Sequence, residues 1–301
     1  MAKKPSLDDL RREIDAIDDQ LHDLFMARTE IVKQVREVKR GQPVKIRPAR
    51  EDRILYRLIE RHRGPFPKRE IARIWREVIV ATLSFEGPFS VAVHMPESEP
   101  SQTQADERRT GLWNMARDQY GSFTQMTGHV SRQRVIEAVK NQDVTVGVLP
   151  VPGRDDADPW WVHLASDMDG TPKVIARLPF AGSPNGRGGD MQALVICPVM
   201  HEPSSDDGSR DRTYLIVETD TEVGLDRLTA AMNKADLNVC FSSVAQNPEV
   251  PSKWLHLVEV EGFVTEDERR IGRLSEALGE KPLRILSMGG YGTALTDKEL
   301  S

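Results

Sequence analysis

The chain has 301 residues, 29% of them Asp, Glu, Lys or Arg, and a formal net charge of -6. That length gives room for two or three domains with their own cores, and the acidic balance offers no global basic surface for nucleic acid. No apolar run is long enough to span a bilayer, and the start, Met-Ala-Lys-Lys-Pro-Ser-Leu-Asp-Asp, lacks the apolar core of a secretion signal, so the expectation is a soluble cytoplasmic protein.

The spacing predicts a long first helix over Leu7 to Val38, opened by a capping box between Ser6 and Asp9. Leu7, Leu10, Ile14, Ile17, Leu21, Leu24, Ile31, Val35 and Val38 recur in threes and fours and form one apolar seam, interrupted at Arg28. A cation buried in such a seam is costly unless an anion meets it. The pattern leaves open whether that anion is a carboxylate of another helix or a ligand. Lys39 lies about 16 Å further along the axis at nearly the same azimuth, so it and Arg28 can bracket one small anion. Arg11 lies about 25 Å from Arg28 in the other direction and reaches the same ligand only from a second copy packed antiparallel. Solvated flanking charges are the alternative for Arg11 and Lys39.

A second helix is predicted over Pro48 to His62, with Pro48 in its first turn. The Arg-Gly-Pro-Phe-Pro stretch at 63–67 breaks the chain before a third helix over Lys68 to Glu86. Arg50 and Glu51 open the apolar series Ile54, Leu55, Leu58; Thr82 and Glu86 fall four apart on the face that holds Ile71, Trp75 and Val78. A Glu86 buried in the bundle would have its carboxyl raised, whereas one frayed before Gly87 would be solvated. Three such helices have too few partners to bury their stripes, which points to dimerisation.

After Gly87-Pro88 short strand-like runs alternate with helices: strand Ser90 to Met95, helices Glu107 to Tyr120 and Ser131 to Lys140, strand Val144 to Pro150. Strands at Lys173 to Leu178 and Gln192 to Cys197 flank a Gly-rich loop, Gly182 to Gly189. Pro96 to Asp106 and His201 to Asp211 are polar and read as mobile loops. Trp113, Trp160 and Trp161 read as packing residues, since no basic stripe accompanies them. Cys197 and Cys240 sit in strand-like runs without metal-ligand spacing and read as buried, reduced thiols. The last segment runs strand (Thr213 to Glu218), helix (Val223 to Lys234), strands (Leu237 to Ser243, Trp254 to Glu261), helix (Glu266 to Ala277), strand (Leu283 to Met288). That order is the βαββαβ ferredoxin-like plan.

The series Leu10-Arg11, Ile14, Asp18, Leu21, Ala27-Arg28, Glu30, Val35 and Lys39, then Arg50-Glu51 and the Thr82 to Glu86 pair, resembles the all-helical chorismate mutases over residues 6–86. The resemblance implies an intertwined helical homodimer that converts chorismate to prephenate in aromatic amino acid biosynthesis. It implies that Arg28, Arg50 and Arg11 of the second copy hold the two substrate carboxylates and that Lys39 faces the ether oxygen. Glu51 would accept from the ring hydroxyl, and Thr82 stands where a serine near a carboxylate is common. Glu86 replaces a glutamine that donates to the ether oxygen, so it must be protonated to do so. The family's acid before the Arg-Glu pair falls near Arg47, a departure. The rearrangement is unimolecular and needs neither metal nor cofactor; it needs a frozen conformer and cations at the growing negative charge. A lyase acting on isochorismate and a non-catalytic regulatory protein are the alternatives.

The whole layout resembles the bifunctional mutase and prephenate dehydratase proteins, which end in an ACT domain. It implies a helical mutase domain at 1–87, a shortened dehydratase-like α/β domain at 88–205, and a degenerate ACT-like domain at 210–295. The dehydratase's Thr-Arg-Phe falls near Met191-Gln192-Ala193, and its Pro-Ile-Glu-Asn-Ser segment reads Pro150-Val151-Pro152-Gly153-Arg154, so dehydratase activity is not expected. The C-terminal part reads either as a binder of an unidentified effector or as an oligomerisation scaffold.

Overall fold

The computed structural model describes residues 5–38, 46–96, 103–182, 191–200, 202–266, 269–278 and 284–301, without the side chains of 84, 86 and 103–109. Helix α1 runs Leu7–Val38. Its capping box forms, with Ser6 N donating to Asp9 Oδ2 at 2.9 Å and Asp9 N to Ser6 Oγ at 3.2 Å. No residue of α1 is buried, and Leu10, Ile14, Ile17, Leu21 and Leu24 of its seam are exposed. Arg28, Thr29 and Val32 are half-buried, toward the third helix.

Helix α2, Pro48–Arg61, has proline in its first turn, where the missing N–H costs nothing. Helix α3 spans Lys68–Glu86. Between them Gly64 takes φ +118°, a conformation that suits glycine. Leu55 and Ile59 of α2 and Ala72 of α3 pack with Phe180, Leu295 and Leu300, so the helical segment is docked on the rest of the chain. Burial of each large aliphatic here contributes about 2 kcal/mol.

Strands β1 (Ser90–His94), β2 (Gln125–His129) and β3 (Val146–Pro150) alternate with helices α4 (Thr103–Tyr120) and α5 (Arg132–Lys140). A 3₁₀ turn at Trp160–Leu164 precedes β4 (Lys173–Leu178) and β5 (Ala193–Cys197). The C-terminal part is β6 (Asp211–Thr219), α6 (Leu225–Lys234), β7 (Val239–Gln246), β8 (Trp254–Glu261), α7 (Arg269–Leu278), β9 (Arg284–Gly292) and α8 (Asp297–Leu300), which bears out the βαββαβ plan.

The nine strands form one sheet in the order β2-β1-β3-β5-β4-β9-β6-β8-β7. β1 pairs in parallel with β2 and β3, whereas β3/β5, β4/β5, β6/β8, β6/β9 and β7/β8 are antiparallel. The halves meet where β4 and β9 run parallel, at Val174 and Gly289. Gly289 has φ +100°, and a β-carbon there would collide with the Val174 backbone. Side chains alternate across the sheet: Tyr214 and Ile216 join the core with Trp160, Trp161 and α5, while Leu215 and Val217 join the core under α6 and α7. A third core lies between α4 and the first strands. Trp160 and Trp161 are core residues, as the sequence predicts.

Three expectations are corrected. Cys197 is buried but Cys240 is exposed, because it is the extra residue of a bulge, where Val239 pairs Val260 and Phe241 pairs Glu259. The predicted mobile loop at His201 to Asp211 is an ordered turn over its described residues: Ser204 N donates to both Asp211 carboxylate oxygens at 3.0 Å, and Arg53 Nε to Pro203 O at 3.1 Å. In the predicted Pro96 to Asp106 loop the backbone from Thr103 is helical, while 97–102, like the Gly-rich 183–190, lies outside the described residues. Among the described residues no helix is long and apolar enough to cross a membrane.

Candidate active site

The interrupted seam of α1 meets α3 at one polar contact. Arg28 Nη1 lies 3.4 Å from Thr82 Oγ1, whose proton is committed to its own helix through Ile79 O at 2.8 Å, so the hydroxyl accepts from Arg28. Burial, reinforced by the charge of Arg50 at the start of α2, lowers the Arg28 pKa. Both effects penalise the cation, and among the described side chains no carboxylate is paired with it. A guanidinium stays charged under such pressure. The site therefore sets a desolvated guanidinium of α1 against a hydroxyl of α3, with the charge of Arg50 from α2 near enough to act on it.

The remaining candidates fall elsewhere. Arg11 is exposed near the N-terminus of α1, 3.4 Å from Asp8. Lys39 lies outside the described residues, as does the side chain of Glu86, whose backbone ends α3. Arg50 is exposed and adjoins the Arg28 site. Glu51, one residue on, turns toward the sheet. Its Oε2 lies 2.7 Å from Arg76 Nη1 of α3, in a buried junction shared with Asp52, Tyr120, Leu178 and Phe180. Asp52 is 3.7 Å from Arg76 Nη2, and burial pushes its carboxyl well above the usual range. Arg28, Arg50 and Thr82 are thus brought together, while Glu51 enters a separate ionic cluster.

Arg76 is the residue that sequence reasoning missed. The signal was present: Ala72, Arg76, Ile79 and Leu83 form the buried row of α3, interrupted by a cation as the seam of α1 is by Arg28.

Residues 10–87 match the family model of type II chorismate mutases. The chain is 30% identical over 157 residues to the bifunctional chorismate mutase/prephenate dehydratase of Pseudomonas aeruginosa, covering 50% of this chain and 40% of that protein. It is 29% identical over 150 residues to the bifunctional protein of Aquifex aeolicus, covering 48% and 38%. The matches thus span less than half the length of these relatives. Among solved structures it is similar to the prephenate dehydratase of Staphylococcus aureus, with TM-score 0.45, 13% identity, and coverage of 68% of this chain and 100% of that one. Residues 10–87, which carry the Arg28–Thr82 contact, are thus the part of the chain that matches the type II chorismate mutase family.

Proposed function

We propose that the protein is a chorismate mutase, converting chorismate to prephenate by a [3,3]-sigmatropic rearrangement. The observation that carries this reading is Arg28, half-buried against Thr82 and next to Arg50 with no described acid paired to it, inside the segment that matches the mutase family. Chorismate supplies the missing anions as two carboxylates. Arg28 and Arg50 clamp them and select the compact conformer in which the bond-forming carbons approach, which removes much of the entropic barrier. As the carbon–oxygen bond breaks, negative charge grows on the ether oxygen. Lys39, and Glu86 in its protonated form, are assigned to that oxygen. Glu51 is assigned to the ring hydroxyl, a role that competes with its ion pair to Arg76.

The same reading makes the protein a homodimer. The apolar seam of α1 lies open in a single chain, and a second copy packed antiparallel covers it and delivers Arg11 to the Arg28 site. It also retains a division into domains at 1–87, 88–205 and 210–295, mutase activity without dehydratase activity, and a cytoplasmic location.

Incubation with chorismate followed by product separation tests the proposal. Prephenate is expected from the native chain and not from Arg28→Ala. Absence of prephenate from the native chain overturns the reading, and pyruvate released from isochorismate alone would replace it with a lyase.

A further inference from the structure

A cleft of about 440 Å³ opens where β4 and β5 meet the C-terminal strands, and no residue of α1, α2 or α3 lines it. A cavity of this size falls in the range of small-molecule sites. Its polar wall is built around Arg177. One edge of that guanidinium is fixed: Nη1 lies 3.0 Å from Glu259 Oε1 and 2.6 Å from the Tyr291 hydroxyl, which donates in turn to Glu259. The guanidinium also stacks 5.6 Å from the Tyr291 ring centroid. Glu259 and Tyr291 are 5% and 3% exposed, so this half of the network is anchored in the sheet.

The other edge is occupied differently. Nε and Nη2 both donate to the single amide oxygen of Gln192, at 3.1 Å for Nε. Gln192 is an exposed side chain at the entrance to β5. The Nε–Nη2 edge is the geometry that grips a carboxylate through two parallel bonds, and charge-assisted bonds are about twice as strong as those to a neutral acceptor. A rigid, pre-oriented guanidinium holding one neutral and displaceable oxygen is therefore a seat held by a substitute. Leu178, Pro179, Phe241 and Ala294 add apolar surface to the same cleft.

We infer that this cleft binds a small organic acid, its carboxylate replacing Gln192 on the Nε–Nη2 edge of Arg177 and its apolar body lying along Phe241 and Leu178. The site is distinct from the Arg28 site and does not depend on mutase activity.

Calorimetric titration of the full chain with phenylacetate, and with its neutral isostere phenylacetamide, tests this. The titrations are made in the Arg28→Ala background, so that the α1 site does not contribute. The expected result is one phenylacetate per chain, with phenylacetamide weaker by about tenfold or more. Two variants at the exposed Gln192 leave the core intact. Gln192→Ala should bind about threefold more tightly, since no oxygen need be displaced, and Gln192→Glu should lose binding by about tenfold or more, because its own carboxylate fills the seat. Equal binding of acid and amide, absence of phenylacetate binding, or indifference to both Gln192 substitutions overturns the inference. None of these outcomes bears on prephenate formation, which is measured separately.

Discussion

Arg76 of α3 holds the Glu51 carboxylate of α2 at 2.7 Å in a junction where both side chains are about nine-tenths buried. The ion pair ties the two short helices to each other and to the sheet beneath, because Phe180 stacks on the same guanidinium at 5.6 Å. Removing one member of a buried pair leaves an uncompensated charge, so Arg76→Ala should cost about 3 to 5 kcal/mol. Arg76→Met, which refills the volume, still strands Glu51, and should recover part of the loss only when combined with Glu51→Gln. Chemical denaturation measures both, and a loss in Arg76→Ala no larger than that of a surface substitution would show that the pair does not hold the junction.

Asp52 in the same junction gives a pH dependence. Burial raises its carboxyl first, Arg76 opposes, and Glu51 and Asp211 raise it further. A carboxyl whose folded value lies above its unfolded value favours the folded state fully below the unfolded value and loses that contribution as pH rises through the folded one. Asp52→Asn carries no charge at any pH. It should therefore unfold at a higher temperature than the parent at pH 8, by about 2 to 4 °C, and gain no such advantage at pH 3. Calorimetry at the two pH values decides, and an equal difference at both would remove Asp52 as the titrating group.

At the candidate site the opposite pattern is expected. Arg28 is desolvated beside Arg50 without a described acid to meet it, so Arg28→Ala should leave the thermal midpoint and helical circular dichroism nearly unchanged. Turnover of chorismate should fall by about a hundredfold or more, because a substrate carboxylate loses the clamp that holds the reactive conformer. Unfolding of the variant would instead mean that Arg28 holds the helices together.

The proposed antiparallel dimer predicts complementation. Arg11→Ala and Arg28→Ala should each be inactive. When the two variants are mixed, unfolded and refolded together, half the dimers are heterodimers with one intact site of two, so about a quarter of parental activity should return. Full activity of Arg11→Ala alone would place Arg11 outside the site, and no recovery in the mixture would show that it does not act across the interface. Leu21→Glu should in parallel yield a monomer in analytical ultracentrifugation, since it sets a charge in the middle of the exposed seam.

The sequence was most legible where burial imposes a period. Helix α3 and strands β4 and β8 begin and end where apolar spacing places them. Strand β2 escaped because Gln125-Met126-Thr127-Gly128-His129 buries no residue fully and is held at the sheet edge by main-chain pairing with β1. Helix α8 is too short for a period, although Thr296 and Glu299 form the capping box that announces it. At the site, Arg28 stood out as a cation in an apolar row and Thr82 as a polar residue on an apolar face, whereas the contact between them was not foreseen. The direction of Glu51 was not legible: α2 is covered on one side by α3 and on another by the sheet, and spacing along one helix does not say which neighbour a carboxylate will meet.

The bond between β4 and β9 bears on how the chain can be divided. Because β9 both closes the C-terminal βαββαβ unit and adjoins β4, the two halves share one continuous hydrogen-bonded surface. A cut between 205 and 210 would therefore create two raw strand edges, each a template for self-pairing. Expressed separately, the halves should aggregate, whereas co-expressed halves should find each other along that line. In the folded molecule that line is a suture.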